Sequence, residues 1–116
     1  KGVAKANGQL LRDLAETDAL MVTGTDSPFV PYGAGLHAEL RLYELAGLTP
    51  EQILHAATAK SAIAAGVWED LGTISAGKVA DIVVVSGDPL ATIADADDVT
   101  MTIKNGYRYS IETLLN

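Results

Sequence analysis

The chain has 116 residues, with 15 acidic against 8 basic side chains, a formal net charge of −7 and no cysteine. That length supplies one domain and its core, and falls short of the about 250 residues of a complete eight-stranded barrel. The lysines and arginines are scattered, which argues against a nucleic-acid partner because phosphate binding needs a basic stripe, and the absence of cysteine excludes disulfides and thiolate metal sites.

No apolar run approaches the roughly 20 residues of a membrane span, so no membrane association is expected. A soluble protein follows, with cytoplasmic and exported locations both left open. The chain opens on Lys1 rather than methionine, which favours reading it as a piece of a longer protein.

Residues 1–16 place Val3, Leu10 and Leu14 near one helical face and predict a helix, with Glu16-Thr17-Asp18 as the turn after it. Ala19 to Gly24 is a short apolar run without polar alternation. It predicts a strand buried on both faces, and hence a parallel sheet flanked by helices. That strand empties into Thr25, Asp26, Ser27 and Pro28, so a carboxylate stands at a strand end. Residues 27–35 hold two prolines, two glycines, Phe29 and Tyr32, a loop composition.

Residues 36–46 form the next predicted helix, with Leu36, Leu40 and Tyr43 on one stripe, Glu39, Arg41 and Glu44 off it, and Gly47 as its stop. Thr49-Pro50-Glu51-Gln52 is a helix start, with a threonine cap, a proline in the first turn and a glutamine three residues after the cap. The helix it opens is expected over 50–65, ending at Gly66.

From Val67 onward the pattern changes to strands and turns. Residues 80–85 (Ala-Asp-Ile-Val-Val-Val) are the strongest β run, broken by Asp88-Pro89. Val99, Met101 and Ile103 alternate with polar residues, as do Tyr107, Tyr109 and Ile111, around Asn105-Gly106. This is a hairpin signature. The chain therefore divides into an α/β half, 1–66, and a strand-rich half, 67–116, that is too short to cover both faces of a sheet by itself.

The ordered set Gly24-Thr25-Asp26-Ser27-Pro28, Leu36-His37-Ala38-Glu39-Leu40, Ala46-Gly47-Leu48-Thr49-Pro50, Ala56-Ala57-Thr58-Ala59-Lys60-Ser61-Ala62, Leu71-Gly72-Thr73-Ile74, Gly77-Lys78-Val79-Ala80-Asp81, Gly87-Asp88-Pro89-Leu90 and Lys104-Asn105-Gly106 resembles the carboxyl-terminal part of the amidohydrolase superfamily. The nearest branch is that of prolidase-like Xaa-Pro dipeptidases, metallo-carboxypeptidases and imidazolonepropionase. The resemblance implies an α/β fold in which residues 1–66 are the end of a (β/α)8 TIM-like barrel and residues 67–116 are strands of a small β-sandwich completed by the rest of the same enzyme chain. It implies a divalent metal, zinc foremost, as one or two ions, and a small amide or dipeptide substrate. It leaves homo-oligomerisation open. Asp26 matches the aspartate that in the family touches the metal and shuttles the proton. The family's His-x-His pair, bridging carboxylate or carboxylated lysine, and later histidines are absent here, where the only histidines are His37 and His55.

Hydrolysis assisted by a metal needs a water made acidic by a cation and a carboxylate to take its proton. Asp26 suits both tasks; the alternative is an ordinary Asx-turn aspartate capping its loop. Ser27 and Tyr32 line the expected substrate pocket by adjacency to Asp26. His37, at a helix start, is a candidate to face a substrate carboxylate; the alternative is a histidine hydrogen-bonded at the helix end. His55 reads as structural, Asp81 and Asp88 as turn residues, and Asp95, Asp97 and Asp98 as a solvated acidic turn. A non-catalytic structural or interaction module of the same fold is the rival reading of the whole chain, its incomplete sheet recruiting a partner strand.

Overall fold

The computed structural model describes residues 2–17, 19–31 and 33–115. Helix α1 (Gly2–Ala15) lays Leu11 and Ala15 on the core. From its last turn Arg12 donates to the Ala46 carbonyl at the end of helix α2 (Ala34–Ala46). Gly47 stops α2 as its spacing predicts: φ is 99°, and the Gly47 and Leu48 amides turn back to the Glu44 and Tyr43 carbonyls at 2.8 and 3.1 Å.

The next helix begins with both halves of the expected capping box. Thr49 Oγ1 accepts from the Gln52 amide at 3.3 Å, and Gln52 Oε1 accepts from the Thr49 amide at 2.9 Å. The helix runs as α3 (Pro50–His55), a π-helical stretch (Ala56–Lys60) and α4 (Ser61–Ala64). Its widened middle was not expected. There Ser61 Oγ reaches back five residues to the Ala56 carbonyl at 2.7 Å.

Strands β1 (Ile82–Val85), β2 (Val99–Lys104) and β3 (Tyr107–Ser110) form one antiparallel sheet in the order β1-β2-β3. Ile82 faces Ile103 and Val84 faces Met101, with an irregularity between Val84 and Val85. The hairpin turn is the expected one, since Asn105 and Gly106 both have positive φ, 53° and 84°, as a type I′ turn requires. Ile111, expected to extend the last strand, instead starts helix α5 (Ile111–Leu115). Ser110 causes the change: its Oγ accepts from the Thr113 amide at 3.2 Å, which is helix-capping chemistry.

Residues 19–24, expected as a buried parallel strand, join no ladder among the described residues, and Leu20 is half exposed. A strand in a parallel sheet needs neighbours that come from distant parts of a chain, and the sheet formed by the described residues is antiparallel. Side chains take the backbone partners' place. Tyr43 Oη donates to the Val22 carbonyl at 2.8 Å, Glu39 accepts from the Gly24 amide, and Lys60 Nζ lies 3.4 Å from the Ala19 carbonyl.

The core joins Leu40, Leu48 and Ile53 to Ile93 and Ala96, so it crosses the boundary placed at 66/67. Ile93 and Ala96 lie in a short 3-10 helix (Ile93–Asp97) packed against α2. This helix also corrects the reading of its aspartates as a solvated turn. Asp95 Oδ2 accepts from the Asp88 amide at 2.8 Å, and Asp97 pairs with Arg41 and His37 of α2.

Candidate functional site

Asp26 ends the clamped segment with φ at 53°, a left-handed conformation that aspartate tolerates better than most residues. Its carbonyl accepts from the Phe29 amide at 3.0 Å, closing a turn that holds the cis Ser27–Pro28 peptide bond. The backbone therefore makes the turn. Among the described residues the Asp26 carboxylate has no hydrogen bond or ion pair, so it is not spent on an Asx turn.

Helix α2 reaches the segment that leads into that carboxylate. Glu39 and Tyr43 lie one turn apart on it and both reach the segment before Asp26. Glu39 Oε1 and Oε2 accept from the Gly24 amide at 2.9 and 3.1 Å, while the Tyr43 phenol takes the Val22 carbonyl. Partial burial first, then the negative charge of Glu39 and hydrogen bonding to it, hold the Tyr43 phenol above its ordinary value of 10.0. The loop between Asp26 and α2 folds onto the helix start at Gly35. A Cβ there would stand 3.0 Å from Val30 Cγ1 and 3.3 Å from Thr25 Cβ, so a side chain at this position would require the loop to give by a few tenths of an ångström.

The other candidates fall in different places. Ser27 Oγ donates to the Val30 carbonyl at 3.2 Å and lies 3.3 Å from Thr25 Oγ1, inside its own loop. Tyr32 lies outside the described residues. His37 turns toward the 3-10 helix, its Nδ1 2.8 Å from Asp97 Oδ1. The nitrogen is shut off from solvent and lies close to the carboxylate without hydrogen-bond alignment. His55 is exposed at the end of α3. Asp81 accepts from Lys104 and from the Asn105 amide, and Asp88 Oδ1 accepts from the Leu90 amide at 3.0 Å. These last contacts are turn chemistry.

Among the described residues no three His, Asp or Glu side chains stand together as a metal site. The donor set fits one ligand, the free Asp26 carboxylate, and not a whole coordination sphere. The contacts of Glu39 and Tyr43 with the segment before Asp26 are not legible in the sequence, because off-stripe and on-stripe positions of an amphipathic helix read as solvent face and core. No helix described here is long and apolar enough to cross a membrane.

The sequence profile of the amidohydrolase family matches residues 3–108. Comparison with curated protein sequences found no match. Among solved structures, an Xaa-Pro dipeptidase with methionine bound in its active site superposes with a TM-score of 0.79 at 26% identity, over 89% of this chain and 25% of that one. A Bifidobacterium longum protein assigned to the prolidases gives 0.76 at 33% identity, over 85% and 25%. Molinate hydrolase gives 0.69 at 28% identity, over 76% and 19%. The chain thus spans a quarter or less of the length of each of these structures.

Proposed function

From the premise that the chain belongs to the amidohydrolase family, we propose that it is the carboxyl-terminal portion of a hydrolase acting on C–N bonds of small amides, with dipeptides or N-acyl amino acids as the leading substrates. In this reading residues 1–66 close a (β/α)8 barrel and residues 67–116 add strands to a β-sandwich, the remainder coming from the rest of the enzyme. The likeness to an Xaa-Pro dipeptidase that holds methionine in its active site supports a pocket of amino-acid size.

Asp26 would be the metal ligand contributed by this chain. A divalent cation, zinc foremost, supplies a water of lowered pKa when it is bound. Asp26 would accept a proton from the attacking water as the C–O bond forms and return it to the nitrogen as the C–N bond breaks. The observation that carries the reading is the free carboxylate at a left-handed turn, at the end of a segment held by α2. Strained backbone of this kind clusters at functional sites.

The test is Asp26→Asn in the intact enzyme, which keeps the shape and removes the base. Hydrolysis of the best dipeptide should fall about 10² to 10⁴-fold. Survival within about tenfold would refute the proton-shuttle role. The rival, a non-catalytic interaction module, draws on the exposed face of β3. It gains ground only if the intact protein binds metal and hydrolyses none of these substrates.

A further inference from the structure

We propose that Glu39 is a positioning residue for Asp26, acting through the Gly24 amide. The inference rests on the reading of Asp26 given above. It starts from the backbone of residues 19–24, which two side chains of α2 reach. The carboxylate of Glu39 accepts the Gly24 amide with both oxygens, and Tyr43, four residues on, takes the Val22 carbonyl. Together the two contacts bracket Thr23 and fix the backbone immediately before the turn.

Only Thr25 separates Gly24 from Asp26. A displacement of the Gly24 amide therefore passes to the Asp26 carboxylate through two peptide units, which are planar and stiff. On the far side the turn closes on the Asp26 carbonyl and the loop packs on Gly35, so α2 holds the aspartate from both directions. The bond to Gly24 is charge-assisted, and such bonds are about twice as strong as neutral ones. Its effect on rate follows from geometry, since misplacing a reacting group by about 1 Å can cost about 10²-fold. Glu39 touches no reacting atom in this scheme. Its role is to set where Asp26 stands.

The experiment compares Glu39→Ala, Glu39→Asp, Glu39→Gln and Asp26→Asn in the intact enzyme. It reads kcat and KM per folded molecule, together with hydrogen exchange of the peptide covering residues 20–26. Alanine and the shorter aspartate should lower kcat about 10- to 100-fold with KM within about threefold, and should speed exchange across this peptide. Glutamine keeps one acceptor oxygen and should restore kcat to within about threefold of the parent and slow the exchange again. A residue with a merely structural role would change the folded fraction and leave kcat per folded molecule alone. If alanine prevents folding, aspartate and glutamine decide the matter. Should both shortened variants keep kcat within about threefold while Asp26→Asn loses more than 100-fold, the role of Glu39 is overturned and that of Asp26 stands. If Asp26→Asn is itself active, both fall.

Discussion

His37 Nδ1 lies 2.8 Å from Asp97 Oδ1, and Arg41, one turn further along α2, donates to the other oxygen of the same carboxylate. One acidic side chain of the 3-10 helix thereby ties the strand-rich half to the helix that begins just after the Asp26 loop. The side chains of His37 and Asp97 are each one-third exposed, although His37 Nδ1 itself is shut off from solvent.

This geometry separates the two roles open to His37. If the ring acts only as a fastener against Asp97, His37→Gln should cost about 0.5 to 1 kcal/mol while KM stays within about twofold. Thermal melts run beside steady-state kinetics check both points. A tenfold rise in KM at unchanged stability would instead place the ring in the substrate pocket.

Asp81 gives the fold an acid limit. The hydrogen bond from Lys104, and then that from the Asn105 amide, hold its carboxyl below the usual value of 3.8. The folded state thus gives up this proton more readily than the unfolded chain does. The stabilisation is complete above the ordinary carboxylate range and is lost as pH falls through the depressed value. Asp81→Asn removes that dependence. The gap in Tm between the parent and this variant should narrow as the pH is taken from about 6 to about 3. A gap that stays constant would show that the carboxyl titrates at its ordinary value.

The elements that follow from local chemistry could be read in advance. Gly47 ends α2, Thr49 and Gln52 cap α3, and Asn105-Gly106 turns the hairpin, because each signal involves residues within four positions of one another. What was missed depends on distant partners. Residues 19–24 have the composition of a strand, yet a strand exists only beside another strand. Asp97 sits in an acidic run that looks solvated, and its partner Arg41 lies 56 residues away. The place of Asp26 after an apolar run is legible in the sequence, whereas the contact of Glu39 with the Gly24 amide is not, because a carboxylate off the apolar stripe has no visible target until the chain folds.

Tyr43 sets a limit on the alkaline side. Its phenol is raised above 10.0, so the folded state keeps the proton longer than the unfolded chain. The stability it contributes is present below that ordinary value and is lost as pH rises through the raised one. Tyr43→Phe removes the bond to the Val22 carbonyl and should cost about 1 kcal/mol at neutral pH. The deficit should close as the pH passes about 10. Thermal midpoints of parent and variant between about pH 7 and pH 11 test this, and a deficit independent of pH would mean that the phenol is unshifted.

Gly72 is the tightest backbone approach onto the widened helix. Its φ is 94°, and a Cβ there would stand 2.6 Å from Ala62 Cβ and 3.3 Å from Ala59 Cα and the Thr58 carbonyl. Gly72→Ala therefore combines a left-handed backbone with a hard clash, and the cost should be about 2 to 4 kcal/mol. Ala62→Gly removes the nearest atom at a cost of about 1 kcal/mol for glycine inside a helix. In the double variant the clash with Ala62 is gone, while the strain in φ and the contacts with Ala59 and Thr58 remain. The two substitutions should then be less than additive by about 1 kcal/mol in a denaturant double-mutant cycle. Strict additivity would mean that backbone strain alone, and not the approach of the turn to Ala62, makes glycine necessary at this position.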